Sequence, residues 1–305
     1  MTVDAVLIAG PTASGKSAVA LALAERVGGV VINTDSMQVY REARILTARP
    51  TDDELVRAPH RLYGHVGVND AYSVARFRAE AAAALAEARS TGRVPIFTGG
   101  SGLYFGALTE GLADIPPIPA SARAIVQARF GRVGAQAFFE ELRRHDPEIA
   151  ARLRASDRQR VLRAAEVFEA TGRPLSHWQR DIVMAPPLAD LKLVRVVVAP
   201  PRPELHRRID TRFDAMLQAG AFAEASALEG LDPARPAAKI LGLRELWAVR
   251  SGTLTPDAAR AAAQAATRQY AKRQLTWARQ RMAGWTWVGS VGARNIITEI
   301  LAYFS

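Results

Sequence analysis

Residues 10–17 read Gly10-Pro11-Thr12-Ala13-Ser14-Gly15-Lys16-Ser17 and fill the spacing G-x-x-x-x-G-K-[ST] completely, which few folds can use. The stretch follows a nearly continuous apolar run, Val3 to Ala9, suited to a strand buried on both faces of a parallel sheet. It leads into a helical pattern from Ser17 to Arg26 that Gly28 and Gly29 stop. A glycine turn between strand and helix lets consecutive backbone N–H groups converge on an anion. The helix N-terminus adds partial positive charge, Lys16 adds a full one, and Ser17 offers a hydroxyl to Mg2+. The eight residues are therefore expected to bind a di- or triphosphate, without saying which.

Further strands are expected at Val30–Thr34, Val94–Thr98 and Leu191–Ala199, alternating with helices, as in a parallel α/β sheet. Thr51 and Glu54 form a T-x-x-E capping box for a short helix ending before Pro59. Ser73–Arg89 is a longer helix with Phe77, Ala81 and Leu85 on one face. Proline clusters at 116–119 and 186–187 bracket a stretch with helical periodicity and no convincing strand. There, Ser156 and Gln159 suggest a second capping box, with Gly172 and Pro174 ending the helix. The organisation expected is an α/β core, 1–112 and 190–305, with an all-helical domain inserted at 113–189. The last third again reads as helical: Pro203 suits a first helical position, Gly220 a stop, and Thr255-Pro256 opens a helix to about Arg281.

Hydrophobic residues make up 49% of the chain and charged ones 23%, enough apolar surface for a real core. Lys and Arg number 40 against 30 Asp and Glu, a formal +10, which points to a polyanionic partner such as nucleic acid. The chain has no cysteine, which removes disulfides, thiolate catalysis and Cys-ligated zinc. No signal peptide or membrane span is expected, so the default is a cytoplasmic protein without a membrane partner, working as a monomer.

A hydrolysing NTPase or kinase would need an acidic strand end to hold metal, and no apolar run here ends in Asp-Glu or Asp-Asp. Instead the second strand runs into Asp35-Ser36-Met37-Gln38-Val39-Tyr40 and the third into Gly99-Gly100-Ser101-Gly102-Leu103-Tyr104. Ligands of doubly wound sheets bind at the carboxyl ends of strands, so Asp35 and Ser101 are expected to face the same crevice as the phosphate loop.

These pieces, with TARPT (47–51), PHRLYGHV (59–66), YSVARFR (72–78), DRQRVLRAAEVFEATGRP (157–174), RRIDTRFDAML (207–217) and KRQLTWAR (272–279), occur in order over nearly the whole chain. The series resembles the tRNA dimethylallyltransferase family, bacterial type, since it ends without a Cys/His zinc finger. The resemblance implies a P-loop NTPase-like α/β core and transfer of a dimethylallyl group from dimethylallyl diphosphate to N6 of adenosine 37 beside the tRNA anticodon. The loop's anion would be the diphosphate leaving group, with Mg2+ as cofactor. Asp35 would be the general base that withdraws a proton from the delocalised adenine amine. Ser101, where the family often has Thr, would bond the diphosphate or the amine. Arg212 resembles the family's diphosphate-binding arginine, with Arg208 one turn before it.

The same resemblance implies a tRNA-binding surface. It takes in Asp35, Ser36, Met37, Gln38 and Ser101 at the site, and Arg123, Gln159, Arg160, Val161, Leu162 and Arg163 in the insertion. Lys239, Gly242, Arg244, Lys272, Arg273 and Arg279 complete it. Adenine 37 must be extruded from the anticodon loop, which calls for positive charge and flat side chains. Tyr270 and Trp277 lie on another face of the basic helix and are expected mostly in the core. Leu243 departs from the family, which usually carries an aromatic after the glycine, and puts stacking there in doubt. Two rivals share parts of this pattern: an adenylate isopentenyltransferase acting on free AMP, ADP or ATP, and a P-loop nucleotide kinase. A free nucleotide needs neither the inserted domain nor the basic C-terminal helix.

Overall fold

The computed structural model describes residues 3–180, 184–289 and 293–303. Its chain divides into two compact units, 1–108 with 188–305, and 109–187.

In the first unit, β1 (Ala5–Ala9) is buried at every position, as an uninterrupted apolar run requires. Val6, Leu7 and Ile8 are fully out of water, each worth about 1.5–3 kcal/mol of burial. Helix α1 (Lys16–Val27) follows and ends on Gly28 at φ +64°. Next come β2 (Val30–Asn33), α2 (Asp52–Arg57), β3 (His60–Arg61), α3 (Val74–Ser90), β4 (Pro95–Gly99) and α4 (Gly102–Thr109). The Thr51–Glu54 capping box forms with both reciprocal bonds, and Ser73 caps α3.

In the second unit lie α5 (Ala120–His145), broken at Gly134 (φ +79°), α6 (Pro147–Ala150), α7 (Arg158–Thr171) and α8 (Leu175–Arg180). The core includes Val126, Phe138, Leu142, Val161 and Val167. Asp146 is almost fully buried, and its carboxylate accepts N–H bonds from Ile149 (3.1 Å) and Ser176 (2.9 Å), which satisfy its oxygens and join α6 to α8. The capping box expected at Ser156 and Gln159 does not form. The cap is Asp157, whose carboxylate accepts from Arg160 N–H, and Gln159 lies exposed.

The chain re-enters the first unit with β5 (Leu193–Val198), α9 (Arg202–Gln218), α10 (Ala221–Ala227), a 3-10 turn (Pro236–Lys239), α11 (Leu243–Arg250), α12 (Pro256–Arg281), β6 (Thr286–Val288) and α13 (Ala293–Leu301). Arg202, not Pro203, takes the first position of α9, with Pro201 as its cap. Thr255 caps α12. The short β3 and β6 were not expected, because two or three residues show no periodicity.

All pairings in the sheet are parallel, in the order β3-β2-β4-β1-β5-β6. That order sets the carboxyl ends of β2, β4 and β1 side by side, so the segments leaving them share one edge. Gly99 is required there. A Cβ at that position would lie 2.1 Å from the Thr34 carbonyl, and Ser101 N–H donates to that same carbonyl oxygen (3.2 Å).

Candidate active site

The loop leaving β1 closes on itself. Ser14 N–H donates to Pro11 O (3.1 Å), Ala13 and Gly15 take φ of +63° and +92°, and Gly10 N–H reaches Gly99 O (3.3 Å) on the neighbouring strand. A Cβ on Gly10 would meet Val198 O at 2.6 Å, so only glycine passes there. Lys16 is buried, and its Nζ donates to Pro11 O (3.2 Å). Burial lowers its pKa to about 8; the Asp35 carboxylate opposes the shift and the Arg212 guanidinium adds to it. Ser17 is exposed one residue further on.

Helix α9 brings two arginines to this loop. The i,i+4 spacing puts both on one face: Arg208 Nη1 donates to Ser14 O (3.0 Å), and Arg212 Nη2 to the Thr12 hydroxyl. Arg208 also pairs with Glu204. Burial pulls the Arg212 pKa down, and Asp35 opposes that pull.

Asp35 follows β2 in a tight turn. Its N–H donates to Asn33 Oδ1 (2.8 Å), and its Oδ1 accepts Met37 N–H (2.9 Å), which fixes the carboxylate. It shares one pocket with Thr12 and Arg212, as the strand ends predict, and Met37, Phe213 and Tyr270 also line that pocket. Ser101 Oγ accepts Ser36 N–H (2.9 Å) and donates to Ser36 Oγ (3.1 Å). Burial raises the Tyr270 hydroxyl pKa, and the Asp35 charge raises it further. Tyr270 was expected mostly in the core. It is half-buried, under the Arg273 guanidinium 5.6 Å from its ring centroid.

Gln38 and Val161 both have structural work in the fold. Gln38 Nε2 is committed to the carbonyls of Thr47 (2.9 Å) and Ala48 (2.7 Å), where it pins the pocket wall. Val161 is wholly buried in the core of the second unit, so its side chain has no face for RNA, and Leu162 packs partly against that core. Gln159, Arg160 and Arg123 are exposed. Arg163 is half-buried, and burial with Arg123 lowers its pKa against the pull of Glu166. Lys239, Arg244, Lys272, Arg273 and Arg279 are exposed. Gly242 (φ +86°) opens α11, and Leu243 is fully buried, so that position packs the core and does not stack. Trp277 sits half-buried against Gly102, where a Cβ would come within 2.2 Å of its ring.

Two further residues shape the site: Gln274, inside the KRQLTWAR segment, and Glu224, which carries no sequence signal of its own. Gln274 clamps both loops: its Oε1 accepts Thr12 N–H (2.9 Å) and its Nε2 donates to Gly100 O (2.9 Å). One partner is a donor and the other an acceptor, which fixes the amide orientation. Glu224 on α10 accepts the backbone N–H groups of Arg44 (2.7 Å), Ile45 (2.7 Å) and Leu46 (2.9 Å), anchoring the segment that carries Leu46 and Thr47 into the pocket.

Among the described residues, no group of three or more His, Cys, Asp or Glu could hold a metal, and no helix is long and apolar enough to cross a membrane.

The family model described as IPP transferase matches residues 38–281. A tRNA dimethylallyltransferase of Nitrobacter hamburgensis is 55% identical over 287 residues, 93% of this chain and 90% of that protein. One from Methylobacterium radiotolerans is 52% identical over 292 residues, 95% of this chain and 94% of that one. The crystal structure of a Bacillus halodurans tRNA isopentenylpyrophosphate transferase superposes with a TM-score of 0.70 at 32% identity, covering 98% of this chain and 94% of that one. A eukaryotic dimethylallyltransferase acting on tRNA superposes with a TM-score of 0.78 at 26% identity, covering 93% of this chain and 73% of that chain. With its phosphate loop, carboxylate turn and α9 arginines meeting at one sheet edge, the chain belongs to the IPP transferase family, among the tRNA dimethylallyltransferases.

Proposed function

We propose that the chain transfers a dimethylallyl group from dimethylallyl diphosphate to N6 of adenosine 37 in the tRNA anticodon loop. The observation that carries this reading is one pocket walled by a carboxylate, Asp35, by the anion loop at Thr12 and Arg212, and by apolar side chains. That combination suits an apolar group bonded to a diphosphate and attacked by an amine.

Lys16, Arg208, Arg212 and the loop's N–H groups would hold the diphosphate and stabilise the charge that develops as the C1–O bond breaks. Met37 N–H orients the Asp35 carboxylate through Oδ1, and Oδ2 takes the N6 proton as the N6–C1 bond forms. Ser101, held by Ser36, keeps a hydroxyl beside this path. Ser17, exposed at the start of α1 beside Lys16, has the hydroxyl that would hold a Mg2+ at the loop. Such an ion would neutralise charge on the leaving diphosphate.

The exposed cations Arg123, Gln159's neighbour Arg160, Lys272, Arg273 and Arg279 supply charge for the RNA backbone. A cytoplasmic monomer fits a tRNA acceptor and a pocket lined within one chain.

The test incubates the protein with tRNA and labelled dimethylallyl diphosphate, with AMP as competing acceptor. Label recovered as N6-modified adenosine from tRNA digests is expected; label in AMP would reassign the enzyme to free nucleotides. Asp35→Ala is expected to cut transfer by about 1,000-fold or more while tRNA affinity stays within a few-fold. Near-normal turnover would remove Asp35 as the base.

A further inference from the structure

We propose that α9 acts as a ruler that limits the transferred chain to a single isoprene unit, with Met216 and Ile240 as the stop. This rests on the prenyl-transfer reading above.

Helix α9 touches the phosphate loop at two points, Arg208 on Ser14 and Arg212 on Thr12. The helix then continues away from the loop, presenting Phe213 and Met216 to the same pocket. Met216 follows Arg212 by four positions, a rise of about 6 Å along the axis, close to the length of one extended isoprene unit. Since Arg212 and Met216 line one pocket, a chain bonded to a diphosphate at Arg212 would meet Met216 at about the end of its first unit and would have to pass it to place a second.

The stop is closed from behind. Met216, Ile240 and Leu46 all line the pocket yet are nearly buried, at 9%, 3% and 6% exposure. They belong to one continuous core with Ala221, Ala225 and Leu228, so the space past them is already filled. Nor can the wall shift easily. Phe213 is wedged against Gly242, where a Cβ would come within 2.7 Å of Cε2, and the positive φ of Gly242 would strain any other residue. The backbone of Leu46 is held by Glu224, which binds three successive N–H groups. A close-packed wall of this kind rejects added carbons because something rigid must move.

The test compares dimethylallyl with geranyl diphosphate, the ten-carbon homologue, as donors to the same tRNA. It uses the full chain, Met216→Ala and Ile240→Ala. The wild type is expected to favour the five-carbon donor by about 100-fold or more in kcat/KM, and either variant to raise the relative use of geranyl diphosphate by roughly tenfold or more. Comparable use of both donors by the wild type overturns the ruler, whatever the variants do. So does an unchanged donor ratio in a variant that still transfers the five-carbon group. A wild type that transfers neither group refutes the prenyl-transfer reading itself, which separates the two failures.

Discussion

Gln274→Glu tests whether the two loops of the site are held as a unit. The substitution keeps an acceptor for Thr12 N–H but replaces the amide that donates to Gly100 O at 2.9 Å with a carboxylate oxygen. Two oxygens then face each other with no proton between them. The side chain cannot simply swing over Gly100, because the amide nitrogen already occupies the space where a Cβ would lie, 2.1 Å away. Leaving a part-buried carbonyl unmet costs about 1–3 kcal/mol, and the opposed oxygens add to it, for roughly 2–4 kcal/mol in all. If that strain falls on the loops, kcat/KM for the prenyl donor drops by about 30- to 1,000-fold at 1.36 kcal/mol per decade. Gln274→Met, which removes both bonds without adding charge, is expected in the same range. The assay is single-turnover transfer to an anticodon stem-loop, with tRNA affinity and thermal unfolding measured alongside. A Glu variant within about threefold of wild type would refute the clamp. A crippled Glu variant beside an unimpaired Met variant would show that charge, not loop geometry, was responsible.

Lys16 has a pKa lowered to about 8 by burial, so pyrophosphate binding, followed by calorimetry, should weaken above pH 8 as the ammonium is lost. Stability should move the other way. Between pH 8 and the ordinary lysine value of 10.5 the unfolded chain holds the extra proton, so this group's contribution to folding rises with pH across that window. Arg160→Ala should lower tRNA affinity and flatten the slope of log K against log salt by about 0.7, and an unchanged slope would mean the residue misses the phosphates. Leu243→Tyr should cost about 1–3 kcal/mol in urea unfolding through overpacking, with tRNA affinity unchanged; tighter binding would reopen a stacking role.

The phosphate loop and the strand ends were legible because each is local: a strand, a glycine turn and a helix start lie within a few residues. Asp35 and Ser101 could be brought to the loop from strand order alone, since parallel strands deliver their carboxyl ends to one edge. Gln274 and Glu224 were not legible. Their partners lie 262 and roughly 180 residues away, and a glutamine among basic residues on a long helix looks the same whether it faces water or a loop. The capping box at Ser156 failed for a related reason, since Asp157 next to it is an equally good cap and spacing cannot choose between neighbours. Val161 shows the limit of a resemblance: a matching segment includes the residues that merely hold its helix in place.

Each cation facing the cradle is already engaged with the protein. Lys16 bonds the Pro11 carbonyl, Arg208 the Ser14 carbonyl and Glu204, and Arg212 the Thr12 hydroxyl. An incoming anion therefore gains only the difference between the bonds it offers and those it displaces. Chloride or a single phosphate has few oxygens to trade against several surrendered contacts, whereas a diphosphate can replace them all at once. Self-pairing of this kind raises the number of oxygens an anion must offer before its binding gains anything, which favours polydentate anions over small ones without a steric gate.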